Sequence, residues 1–232
     1  MDVFALLLLI PAIVFLPKYI AYKRSDYRNA SGNSFWAVVL NRGNYGEFLT
    51  FSYLEKLDGY HKLLTNLYIP KQDGSTTEID LIMISETGIY VFESKNYSGW
   101  IFGDEKNKNW TQMLPNKQKY QFFNPIWQNK GHISALKLVL TLENDLLYKS
   151  YIVFSERCTL KKISVASSNV KVIKRNAIVG TIKQDMKSSY NCLTIQEVDR
   201  LYSELLKYTR ADVTIQEFHI KNIEIKKTRK QN

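Results

Sequence analysis

An α/β fold built on a mixed central β-sheet flanked by helices, with a transmembrane helix in front of it, is what this 232-residue sequence predicts. Three observations predict it. Residues 3–16 (VFALLLLIPAIVFL) form a run without a polar side chain. Short β-branched and aromatic runs at 63–70, 78–85, 89–94, 151–154 and 170–173 have the length and composition of strands. Helical patterns lie among them, so strands and helices alternate in mixed order. The length admits one substantial core with appendages rather than two full domains.

The elements follow in chain order. The apolar run continues past Pro17 and Lys18 to Tyr22, and about 20 residues are what a helix needs to cross a bilayer. The only early charge is Asp2 and no small-residue cleavage pattern follows, which argues against a signal peptide. Lys18, Lys23, Arg24 and Arg28 cluster directly after the run. Residues 3–22 therefore read as a single-pass anchor, with everything beyond on the cytoplasmic side. Residues 1–24 are the anchor segment and 25–40 a linker, polar through 25–34 and apolar again at 35–40. A helix starts near Gly43, with Phe48, Phe51, Leu54 and Leu57 recurring at three-residue spacing up to Asp58-Gly59. A strand at 63–70 turns at Gln72–Ser75 into 78–85, which pairs with 89–94 through Glu86-Thr87-Gly88 as a hairpin. Trp100–Phe102 is a further short strand, and 104–124 reads as a polar loop. Asn124-Pro125 opens a helix running to about Asp145. Thr194 and Glu197 make a capping box for a last helix to Tyr208. Residues 41–155 are the core, 156–210 its α/β extension and 211–232 a basic tail.

Composition excludes several classes. Aromatic content of 13% with 23% charged residues excludes a disordered chain. Two cysteines and three histidines make neither a disulfide scaffold nor a zinc site. Cys158 and Cys192 read as buried, reduced thiols. The net charge of +10 permits phosphate-rich partners without identifying one.

Charged residues sit oddly in the hairpin. Asp80 interrupts an apolar strand, and Glu93 and Lys95, two apart, point to one face of the other. A turn centred on residue 87 sets Asp80 opposite Ser94, midway between them, and one residue of register decides which it meets. The set serves a salt bridge at a solvated strand end. Equally, two carboxylates offer hard oxygen ligands to Mg²⁺, with a lysine beside them to stabilise charge on a phosphate.

Several ordered blocks carry a resemblance. They are Gly43-Asn44-Tyr45-Gly46-Glu47, Glu78-Ile79-Asp80, the run Gly88 to Gly99 containing Glu93-Ser94-Lys95-Asn96, then Trp110 and Asn124-Pro125-Ile126-Trp127-Gln128-Asn129. Together they resemble the nuclease-related domain (NERD) family, itself similar to the PD-(D/E)xK restriction-endonuclease-like superfamily. The resemblance covers about half the chain. It implies a restriction-endonuclease-like sheet flanked by helices, with Asp80, Glu93 and Lys95 as the metal and catalytic set and Glu47 as an additional acid. It further implies Asp80 and Glu93 as ligands of Mg²⁺ (or Mn²⁺) and nucleic acid, DNA foremost, as substrate; beside that set Gln128 and Asn96 are the candidate substrate-binding residues. Ile79 stands where the superfamily usually has proline.

Other residues have plainer readings beside these. Glu47 also suits the first turn of a helix, Gln128 also reads as a solvated side chain, and His132 reads as packing. Trp100, Trp110 and Trp127 read as core or edge packing, with base stacking as the alternative. The function expected is a membrane-anchored, metal-dependent nuclease. The alternative is a catalytically inactive scaffold of the same fold that binds nucleic acid or a partner.

Overall fold

The computed structural model describes residues 3–209, with side chains from residue 13 onward. In chain order it contains α1 (Val3–Arg24), α2 (Tyr27–Ser31), α3 (Phe35–Leu40), α4 (Arg42–Leu54), β1 (His61–Pro70), β2 (Thr76–Ser85) and β3 (Gly88–Lys95). Then come β4 (Gly99–Asp104), β5 (Asn109–Met113), β6 (Lys119–Phe123), α5 (Pro125–Leu140), β7 (Tyr148–Phe154), β8 (Cys158–Ser164), β9 (Val170–Lys174), α6 (Ile178–Ser188) and α7 (Ile195–Leu206).

Two mixed sheets, not one, organise these elements. The larger has the order β1-β2-β3-β7-β9, antiparallel through β3 and parallel from β3 onward. The smaller has the order β6-β5-β4-β8, with only β4 and β8 parallel. Helices cover both faces of the larger sheet. Ile82, Ile84, Ile89 and Val91 pack with Leu136 of α5 and Leu201 of α7. On the other face Leu81, Met83, Tyr90 and Phe92 pack with Phe48 and Phe51 of α4 and Ile182 of α6. Burial on both faces is why β2 and β3 read as nearly unbroken apolar runs.

The local chemistry explains most boundaries. Asn41 accepts from the Gly43 and Asn44 amides and starts α4. Asn124 caps α5 with proline behind it, and Thr194 and Glu197 form the expected capping box of α7. The stretch expected as a loop at 104–124 is instead the hairpin β5–β6. Its core residue is Trp110, buried and stacked parallel to Phe154 at 6.1 Å. Polar residues mask it in the sequence because one face of this sheet is open. Gly103 lies under the Trp110 ring, and a Cβ there would stand 2.1–2.4 Å from ring atoms. Gly103→Ala is expected to lower the unfolding free energy by about 3 kcal/mol, read from the urea midpoint.

Other expectations are corrected. The linker stretch at 25–40 contains two short helices, α2 and α3. β8 and α6, neither predicted, join the chain after residue 155 to the smaller sheet and to the α4 side of the larger one. Cys158 is buried, but Cys192 is exposed. The basic tail at 211–232 lies outside the described residues. No helix among the described residues is long and apolar enough to cross a membrane. Much of the expected anchor, residues 1–12, falls outside the described side chains.

Candidate active site

The site forms where β2 and β3 part. Their ladder runs from Ser85–Gly88 to Leu81–Phe92. The hairpin is therefore tighter by one residue than a turn centred on residue 87, and Asp80 falls opposite Glu93 rather than Ser94. The ladder stops one step short of that pair. The Asp80 carboxylate takes up the opening instead, its Oδ2 accepting from the Ser94 amide at 2.9 Å. The β1–β2 ladder breaks at the same level. Asn66, across from Asp80, has left-handed backbone (φ 55) and makes no ladder pair. Thr65 donates its hydroxyl to the Asp80 carbonyl at 2.8 Å. Ile79 and Ile82, three residues apart, face the same helices, so strand alternation fails at Asp80. Such irregularity frees an aspartate from the pairing that an unbroken strand would impose.

Helix α5 brings the second half of the site. Two buried asparagines fix it: the Asn124 amide donates to the carbonyls of Glu105 and Asn107, and Asn129 donates to the Val91 carbonyl and to Ser150. Gln128 and His132, one turn apart, then face β3. The Gln128 Oε1 accepts from Lys95 Nζ at 3.1 Å, and His132 Nε2 lies 3.0 Å from Glu93 Oε2. Four residues of helix rise about 6 Å and two of strand about 6.7 Å, so the two pairs match rung for rung. Thr77 completes the row, its hydroxyl 2.8 Å from His132 Nδ1. An ionised Glu93 only accepts, so Nε2 carries a hydrogen and donates.

Charge is concentrated here. Glu93 is 1% exposed and paired with Lys95 at 2.5 Å. Burial pushes its carboxyl upward, but Lys95 and His132 outweigh that and hold it below the usual value. Lys95 loses solvent as well, yet Glu93 and Asp80 keep its ammonium above the usual value. Asp80 is raised well above the ordinary aspartate by burial and by the charges of Glu93 and Glu47. Glu47, on the first turns of α4, is pushed up to about 8 by burial and by Glu78 and Glu93. Tyr27 stands beside Glu47 with its hydroxyl buried.

Asp80, Glu93, Lys95, Gln128 and, through its charge, Glu47 are thus brought together. Asn96 is placed differently. Its amide donates to the Arg42 carbonyl at the start of α4, and its carbonyl oxygens accept from Arg157. Sequence reasoning missed His132, Thr77 and Glu78. The signal for His132 was its four-residue spacing from Gln128, set against the two-residue spacing of Glu93 and Lys95.

The nuclease-related domain model matches residues 42–155, the span from the start of α4 to just beyond β7. An uncharacterized protein of Bacillus anthracis is 37% identical over 182 residues, covering 78% of this chain and 82% of that one. The chain belongs to the nuclease-related domain family. No solved structure matches it. Every side chain placed in the site from Glu47 to His132 lies inside the matched span.

Do these residues fit a metal? Among the described residues no three His, Cys, Asp or Glu side chains are grouped to hold an ion. The chemistry of the donors nevertheless suits a hard divalent cation. Mg²⁺ is commonly held by one or two carboxylates with waters and phosphate oxygens. Asp80 and Glu47 bear proton affinities raised by burial and then by like charge, and a cation would offset the like charge.

Proposed function

We propose that this nuclease-related domain hydrolyses phosphodiester bonds of nucleic acid, DNA foremost, with Mg²⁺ (or Mn²⁺) held by Asp80 and Glu93. The observation that carries the reading is a lysine fixed from two sides, by Glu93 and Gln128, among acids that repel one another. A bound divalent ion would supply Lewis acidity at the phosphate and a more acidic water. The protein's own groups do the rest. Glu93 and Gln128 orient Nζ of Lys95, which keeps hydrogen to donate to a phosphate oxygen as negative charge grows there. The water oxygen forms the new P–O bond and releases one proton, the ester P–O bond breaks, and the leaving oxygen takes up one proton, so no net proton is lost at that step. Glu47, with its affinity pushed up to about 8, is able to hold a proton at neutral pH.

His132 acts through Glu93 and is a positioning residue. His132→Ala is expected to lower kcat about 10- to 100-fold, the usual effect of losing an outer partner of a ligand. Leaving the buried Glu93 Oε2 unpaired is also expected to cost about 1–3 kcal/mol of stability. Cleavage rates together with thermal unfolding check both parts.

The proposal extends to location. The apolar run at 3–22 would anchor the domain on the cytoplasmic side, and Ile13, Leu16 and Ile20 are exposed on α1. Recovery of the full chain in carbonate-washed membranes is the expected result; release into the wash would remove the anchor from the reading.

The deciding experiment incubates purified full chain with single- and double-stranded DNA and RNA, with Mg²⁺, Mn²⁺ or EDTA. Metal-dependent cleavage lost in Asp80→Asn is expected. Salt-sensitive binding without turnover, indifferent to EDTA, would instead favour an inactive scaffold.

A further inference from the structure

The smaller sheet has two unlike faces. Its inner face packs Ile101, Trp110 and Phe122 against Phe154, with Tyr120 half exposed where that face reaches the edge strand. Register defines the outer face. Trp100 lies beside Met113 and Thr159, and Met113 beside Lys119. In the next row Phe102 lies beside Thr111 and Lys162, and Asn109 pairs with Phe123 at the edge. Side chains paired across strands share a face. This face is left open among the described residues: Trp100 is 45% and Phe123 44% exposed, with Lys119 and Lys162 exposed beside them.

An open sheet face that sets aromatics among basic side chains suits a partner with flat rings and negative charge. Residues 96–123 and 157–164, which form this sheet and its turns, contain seven Lys or Arg and two Asp or Glu. One of the two acids, Glu105, is turned onto the Ala166 and Ser167 amides. The Lys161 ammonium sits 5.2 Å from the Trp100 ring centre. Trp100 and Phe102 are about 6.7 Å apart along the strand, a spacing that accepts successive splayed bases. A duplex keeps its base faces stacked inside and offers no ring to stack upon. The face also adjoins the site: Phe123 packs edge-on to Trp127, the neighbour of Gln128.

We propose that the outer face of the β6-β5-β4-β8 sheet binds single-stranded nucleic acid, bases stacking on Trp100 and Phe102 and phosphates meeting Lys119 and Lys162. The partner's class rests on the hydrolase reading, but binding at this face requires neither metal nor turnover.

The test measures binding of a labelled oligothymidylate to the full chain by fluorescence anisotropy in EDTA, over a range of salt. Trp100→Ala is expected to weaken binding about tenfold, as loss of one stacked base would, and Trp100→Phe to restore most of it. Lys119→Glu with Lys162→Glu is expected to flatten the slope of log K against log salt by roughly 1.4, two single-strand contacts. Duplex binding is expected to change little. Wild-type chain that fails to bind the oligonucleotide overturns the proposal. So do folded variants that bind as wild type, equal losses for duplex and single strand, or a Trp100 effect confined to self-association in sedimentation. Asp80→Asn separates the two readings, because it should abolish cleavage and leave this binding intact. A wild-type chain that binds through Trp100 but never cleaves would end the hydrolase reading and keep this one.

Discussion

Asp80→Asn is expected to abolish metal-dependent cleavage, by at least about 10³-fold, while making the metal-free protein more stable. The two effects have one cause. Asp80 sits among Glu93, Glu47 and burial, all of which raise its proton affinity, against Lys95 and the Ser94 amide, which lower it. The raising influences win, so an ionised Asp80 is a strained member of the native state. Asparagine keeps the shape and still accepts from the Ser94 amide, but carries no charge. Each pKa unit removed is about 1.4 kcal/mol, and in a chain of this size about 1 kcal/mol moves Tm by roughly 2–4 °C. Thermal unfolding in EDTA should therefore show a gain of a few degrees. Adding Mg²⁺ should raise Tm in the wild type, because an ion that binds only the folded state stabilises it, and much less in Asp80→Asn. A variant that loses stability, or keeps full cleavage, would show that Asp80 is not in this cluster.

How far was this legible in the residues themselves? Asp80, Glu93 and Lys95 stood out because a charge inside an apolar strand demands compensation, and the structure gathers them at one strand end. Asn124-Pro125 and Thr194 with Glu197 are local devices, so α5 and α7 start where expected. What failed was non-local. The register of the hairpin differs by one residue because Gly88 (φ 125) belongs to the strand rather than the turn. Nothing nearby reports Asn66 and its left-handed backbone, because its reason is the strand across from it. Residues 109–123 looked like a loop because half of each strand faces out and only Trp110 and Phe122 mark the inner face. His132 looked like packing because its partner is 39 residues away. Asn129 is the nearer lesson. A buried amide tied to the Val91 carbonyl sets the rotation of α5, and through that rotation places Gln128 on Lys95.

Glu47→Gln is expected to change how stability depends on pH, and the sign follows from which state holds the proton. The ordinary glutamate value is 4.5, and in the folded protein Glu47 is pushed up to about 8. Between these values the native state keeps a proton that the unfolded chain has released. Stability then falls as pH rises, by up to about 1.4 kcal/mol per unit for one group, and levels off above the folded value. Glutamine removes this slope. Near pH 5 the variant and wild type should differ little on this account, and by pH 9 the variant should be ahead by a few kcal/mol. Glu93 does not blur the comparison. Its folded value lies below 4.5, so its contribution is present across this window and is lost only at lower pH. Urea unfolding in EDTA from pH 5 to 9 measures the divergence. Because Glu78 and Glu93 supply much of the repulsion on Glu47, Mg²⁺ at the site should shrink it. A constant offset across the range would mean that Glu47 titrates as an ordinary surface acid and stands outside the acid cluster.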